Sequence, residues 1–181
     1  MTEPETQAES PKKPLRPSVF YILVLIVAMG DQLTKGLIIK KMYLGESIPV
    51  IGDAFRLTLA HNTGGAWGLL PSGNRLFVGI AILAVCCIVF AYHRMRQMDT
   101  LMAGAFALAL GGALGNLIDR LRFGYVVDFL HAKIINWPIF NVADSGISIG
   151  ICLLFLHFVR SLREEAAQER QKQTTSHETQ G

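Results

Sequence analysis

The stretch LMAGAFALALGGALGNLI, residues 101–118, decides the fold. It carries no charged side chain over a length that, as a helix rising about 1.5 Å per residue, nearly crosses the ~30 Å hydrocarbon core of a bilayer. Working outward, three further apolar runs obey the same rule. Residues 76–92 are likewise free of charge, and residues 19–39 and 139–159 hold only a few polar positions. A span needs about 20 helical residues, and these runs are 17–21 long. A soluble core has no use for four runs of this kind. The bulk composition agrees: 51% of the 181 residues are hydrophobic and 17% charged, with a mean hydropathy of +0.37, where soluble domains carry about 25% charge. The expected fold is therefore mainly α and integral to the membrane, with four transmembrane helices.

The first run admits a second reading. Lys12, Lys13 and Arg16 precede it, and Ala28-Met29-Gly30 resembles the small-x-small cleavage site of a signal peptide. The apolar pattern resumes beyond Asp31 and Lys35 as Gly36-Leu37-Ile38-Ile39, so we read it as a retained span. Four spans put both termini on one side. With the termini inside, the inner segments hold nine Lys/Arg (Lys12, Lys13, Arg16, Arg94, Arg96, Arg160, Arg163, Arg170 and Lys172) and the outer ones six (Lys40, Lys41, Arg56, Arg75, Arg122 and Lys133). That bias has the sign expected for cytoplasmic termini. Residues 1–17, rich in Glu, Pro, Lys and Gln, read as a disordered cytoplasmic tail, and 18–160 as the membrane domain. Residues 161–181 read as a second cytoplasmic tail, helical only through Arg163, Glu164 and Glu165.

Two connections then fall outside. In residues 40–75, Phe55, Leu57 and Leu59 alternate with Arg56, Thr58 and Ala60, a strand period, and Asn62-Thr63-Gly64-Gly65 supplies a turn. Residues 121–138 contain the strand formers Tyr125-Val126-Val127. A small extracytoplasmic β-sheet on the membrane surface accounts for both.

Several function classes drop out. A net charge of +3, with no Lys/Arg cluster interleaved with aromatics, gives no footing for nucleic acid. Cys86, Cys87 and Cys152 lie inside apolar runs and read as buried thiols rather than a disulfide or metal site. His61, His93, His131, His157 and His177 show no ligand spacing, Ser145 and Ser148 flank Asp144 without a nucleophile elbow, and no phosphate or dinucleotide loop occurs. Trp67 and Trp137 read as interface anchors.

The costly residues are the informative ones. A charge at the centre of a span costs about 2.5–3.5 kcal/mol even on the lenient insertion scale. Asp31 and Lys35 fall in the outer half of the first run. Asn116, Asp119 and Arg120 end the third, and Asn141 and Asp144 open the fourth. Asp128 and Asn62 lie in the outer connections. Separate pieces of chain thus bring polar side chains to one depth. The glycines of the third run (Gly104, Gly111, Gly112 and Gly115) would let neighbouring helices approach closely. Asp31 and Lys35 are four apart, and Asp119 adjoins Arg120, so for each acid a structural ion pair competes with a functional role. Asp128 and Asp144 have no Lys or Arg at i±3 or i±4. Two such carboxylates brought together suit shared-proton chemistry, one activating water while the other polarises a carbonyl. A structural role for them stays open at this level. A transporter or proton conductor is the alternative from another class, and it would need polar residues through the full membrane thickness. The inner halves offer little beyond Cys86, Cys87, Cys152 and His157.

Five elements in order, across residues 19–160, resemble the bacterial lipoprotein signal peptidase family, also called signal peptidase II. They are Asp31-Gln-Leu-Thr-Lys35, Asn62-Thr-Gly-Gly-Ala-Trp-Gly68, Gly112-Ala-Leu-Gly-Asn-Leu-Ile-Asp-Arg120, Gly124-Tyr-Val-Val-Asp-Phe129 and Phe140-Asn-Val-Ala-Asp-Ser145. Gly65 departs from the Ala more usual in the family. The resemblance implies an aspartic endopeptidase in the bacterial cytoplasmic (inner) membrane, with its site near the outer, periplasmic face. It would remove signal peptides from prolipoproteins just before a diacylglyceryl-Cys, with Asp128 and Asp144 as the catalytic dyad. The same matching makes Asn62, Gly64, Asn116, Arg120 and Asn141 positioning residues, and Asp31, Lys35 and Asp119 site-shaping ones. The expected partners are lipidated prolipoprotein and membrane lipids, with no metal or organic cofactor.

Overall fold

The structure, a computed structural model, describes residues 15–64, 73–95 and 98–178. Most of the N-terminal tail, with Lys12 and Lys13, lies outside the described residues. So do Arg96 and positions 65–68 with Gly65 and Trp67. Four long helices and three strands follow one another: α1 (Pro17–Lys41), β1 (Ser47–Ile51), β2 (Phe55–Asn62), α2 (Asn74–Arg94), α3 (Thr100–Phe123), β3 (Val126–Ala132) and α4 (Val142–Glu178), with a 3-10 turn at Lys133–Ile135. All four helices are long and apolar enough to cross a membrane.

Local chemistry sets the boundaries. Pro17 opens α1, where its fixed φ suits the first turn, and Lys40 and Lys41 close it against the negative end of the helix dipole. The Asp99 carboxylate caps α3 by accepting the Met102 N–H at 2.8 Å. Gly124 ends that helix in the left-handed region, φ 80°, which suits a residue without Cβ. The helix therefore runs past residue 118, where the uncharged run stops.

α3 is the central helix, packed against α1, α2 and α4. Its buried positions are mostly small: Ala103, Ala105, Ala107, Ala109, Gly111, Gly112, Ala113 and Gly115. A Cβ on Gly111 would lie 2.7 Å from Val27 Cβ, and one on Gly112 would run into the Ala143 carbonyl oxygen, so both are needed for close helix approach. Gly104 has nothing within 4 Å and does not share that role, contrary to expectation. The large apolar side chains point outward instead. Ile22, Leu25, Ile26, Met29, Leu33 and Leu37 are exposed along α1, and α2 has no buried residue at all. Apolar surface on that scale needs lipid around it. Cys86, Cys87 and Cys152 belong to this outer surface and are exposed, not buried as their apolar context suggested.

The strands form an antiparallel sheet in the order β1-β2-β3. Ala60 pairs with Asp128, and an irregularity separates that pair from Leu57–Leu130. Asn62, two residues beyond Ala60, points to the same face. Phe140 then exchanges backbone hydrogen bonds with Leu130 (2.8 and 2.9 Å), which lays the chain before α4 alongside β3. This bridge holds the chain extended at 140 and delays α4 to Val142. At its other end α4 continues to Glu178, beyond the expected stop at Glu165.

Candidate active site

The site grows from the helix ends nearest the sheet and from β3. Asp31 and Lys35 lie on one face of α1, and both are buried, as are Asn116 and Asp119 of α3, Asp128 of β3 and Asn141. The Lys35 ammonium donates to Asp31 Oδ2 at 2.7 Å, Asp119 Oδ2 at 2.9 Å and Asn116 Oδ1 at 3.0 Å. The i,i+4 pair expected from spacing is therefore present, but Asp119 is not paired with its neighbour Arg120. Residue 119 faces α1, while Arg120 turns towards α2, donates to the Asn116 carbonyl at 3.4 Å and lies 5.2 Å over the Phe77 ring. Among the described residues no carboxylate lies within ion-pair distance of Arg120.

Asn141 is the residue immediately before α4. Its Oδ1 accepts the Asp144 N–H at 2.9 Å, while Asp144 Oδ2 accepts the Asn141 N–H at 3.2 Å. This is a reciprocal capping box. It holds the Asp144 carboxylate in the first turn of α4, where the helix dipole favours negative charge. The Asn141 amide also donates to Asp128 Oδ1 at 2.6 Å. One asparagine thus links both carboxylates. Asn116 Nδ2 donates to Asp144 Oδ1 at 2.7 Å, and Asn62 Nδ2 to Asp128 Oδ2 at 2.9 Å. Asn62 Oδ1 accepts the Gly64 N–H at 3.2 Å, fixing the turn after β2. Burial first, and then the charge of Asp144, push the Asp128 carboxyl up to about 7, against the pull of the Asn62 and Asn141 amides and of Lys35.

A cavity of about 480 Å³ opens beside this cluster. Asn62, Asn116, Arg120 and Asp144 form its polar end. Ile80, Ala81 and Ala84 of α2, with Ala113 and Ile147, carry it down between the helices as an apolar groove. Trp137, read from sequence as an interface anchor, lines this cavity and is half exposed. Among the described residues no group of three or more His, Cys, Asp or Glu side chains is arranged to hold a metal ion.

Every site residue expected from sequence lies in or beside this cluster. One participant was missed. Gln32 donates to Asp119 Oδ1 at 2.8 Å and to the Gly115 carbonyl at 3.1 Å. A carboxamide in the C-terminal half of an apolar span was the available signal, although it is far weaker than a charge.

Comparison with known proteins gives the same picture. Residues 23–160 match the family described as Signal peptidase (SPase) II. The lipoprotein signal peptidase of Halothermothrix orenii is 49% identical over 139 residues, covering 76% of this chain and 92% of that protein. The lipoprotein signal peptidase of Bacillus subtilis is 42% identical over 143 residues, covering 78% and 93%. A bacterial membrane enzyme solved by the in meso method superposes with a TM-score of 0.79 at 33% identity, over 85% of this chain and 94% of that one. The agreement in sequence, helix arrangement and length places this chain in the signal peptidase II family.

Proposed function

We propose that this protein is a membrane aspartic endopeptidase that removes signal peptides from diacylglyceryl-modified prolipoproteins, cutting just before the lipidated cysteine. The observation that carries the reading is the Asn141 bridge between Asp128 and Asp144 at the polar end of an apolar groove. Burial and the charge of Asp144 oppose ionisation of Asp128, so the pair carries one proton. Asp128, the more buried, holds it near neutral pH. Asp144 faces the cavity and takes a proton from water as the water oxygen attacks the scissile carbonyl. Asp128 donates to the carbonyl oxygen, and collapse of the tetrahedral intermediate passes a proton to the departing amine. Asn62 and Arg120 hold substrate backbone carbonyls at the rim, and Gly64 shapes the turn that presents Asn62.

The groove also suits the substrate. Its apolar walls descend between the helices, where a signal segment and acyl chains keep their apolar surroundings while the scissile bond stays level with the carboxylates. We place the protein in the bacterial cytoplasmic membrane, termini inside and site near the outer face. The excess of Lys/Arg in the inner segments supports that orientation.

The test is substrate dependence. Purified protein in detergent should shorten a diacylglyceryl-modified prolipoprotein on a gel and leave the unmodified form intact. Equal cleavage of both would contradict the lipid requirement. Proton flux through the protein in liposomes, without cleavage, would favour the conducting alternative.

A further inference from the structure

We propose that Lys35 is a positioning residue for the Asp128–Asp144 pair, setting its spacing through three side-chain arms, an inference that rests on reading that pair as the catalytic dyad. An ammonium has three hydrogens to donate, and Lys35, 2% exposed, directs them to Asp31, Asp119 and Asn116. What each partner does next sets this apart from an ordinary buried ion pair. Asp31 Oδ1 accepts the backbone N–H of Ala143 at 2.9 Å, and Ala143 directly precedes Asp144. Asp119 Oδ2 accepts the backbone N–H of Val127 at 3.0 Å, and Val127 directly precedes Asp128. The third partner, Asn116, donates to Asp144 Oδ1 and accepts from Asn141, whose amide reaches Asp128 Oδ1.

The two aspartates come from different elements, β3 and α4, and repel each other whenever both are ionised. A cation behind them, gripping one arm to each backbone, opposes that separation without touching either carboxylate. Gly115 leaves room for the device, since a Cβ there would sit 2.6 Å from Asp31 Oδ2. Gln32 orients the second arm through Asp119 Oδ1. Lys35 is buried and its three donors are engaged by Asp31, Asp119 and Asn116, so it acts through its partners rather than on substrate.

Lys35 also acts by charge. The charges that bear on Asp128 are Asp144 of α4, Lys35 of α1 and Arg120 of α3, with neutral Asn62 and Asn141 donating to it and Asp119 of α3 meeting the neighbouring Val127 N–H. Lys35 pulls the Asp128 carboxyl down, against burial and Asp144. Without that cation Asp128 keeps its proton to higher pH, and the alkaline limb of the activity profile moves up.

The experiment compares wild type, Lys35→Met and the double variant Asp31→Asn/Lys35→Met in full-length, detergent-solubilised protein. The double variant leaves the local net charge unchanged and keeps an acceptor for the Ala143 N–H. Thermal unfolding, kcat, KM and the pH profile on lipidated prolipoprotein are read for each. Misplacing a reacting group by about 1 Å costs about 100-fold. The expected result is a folded double variant with kcat lower by about that factor and KM unchanged, and an alkaline limb at higher pH in Lys35→Met, where the cation alone is lost. A folded double variant with the wild-type kcat overturns the proposal. A double variant that does not fold also overturns it, because Lys35 would then be needed for structure alone. Asp128→Asn is assayed alongside: if it stays active, the dyad reading fails instead.

Discussion

α2 and α3 carry the two uncharged runs of the sequence, yet they live in opposite environments. α3 is buried along most of its length and holds Asn116, Asp119 and Arg120 near its C-terminal end, whereas α2 has no buried residue. Hydropathy does not separate them, because both pass as spans. Residue size does. α3 is built from Ala and Gly, which admit neighbouring backbones, while α2 presents Leu83 and Phe90 to lipid. In a bilayer the apolar side chain gains little by burial, so the interior goes to residues that pack closely or carry chemistry.

The contrast can be broken most sharply at the carboxylates. Asp144→Asn is nearly isosteric and should leave thermal unfolding unchanged, while cleavage falls by about 10²–10⁴-fold, the usual weight of one acid–base group. Next comes packing. Gly112→Val on α3 drives a side chain into the Ala143 backbone and should destabilise the protein by about 1–3 kcal/mol, with lost activity because Ala143 adjoins Asp144. Leu83→Ala on α2, at a lipid-facing position, should stay within about 0.5 kcal/mol in the same unfolding assay. Equal losses at the two positions would erase the distinction drawn between the helices. A loss between these two belongs to the N-terminal end of α3. Asp99→Ala removes the cap on Met102 and should cost about 1 kcal/mol of stability, with kcat unchanged. The pH profile sharpens the other end. Activity should fall as pH rises through about 7, where the Asp128 carboxyl gives up its proton.

Much of this was legible in the sequence because charge inside a span is so costly. Asp31, Lys35 and Asp119 stood out for that reason, Asn116 and Asn141 because each lies three residues before an Asp, and all of them are buried. The strand period at Phe55, Leu57 and Leu59 located β2. Partnership was less legible. Adjacent Arg120 looked like the counter-ion of Asp119, but consecutive residues on a helix diverge by about 100°, and Lys35 lies across the helix interface. Gln32 escaped notice because a neutral amide is a faint signal, and its partners are set by tertiary packing. Asn141 and Asp144 looked like two residues on one helical face, whereas the N-x-x-D spacing before an apolar run could have been read as a capping box. The cysteines were misjudged because apolar context does not say which face meets lipid.

The central claim is tested most directly by cleavage of lipidated prolipoprotein with wild type, Asp128→Asn and Asp144→Asn, each shown to be folded. Cleavage by wild type alone is the predicted result. Cleavage persisting in both variants would contradict the account, because the reacting groups would then lie outside the pair that Asn141 joins.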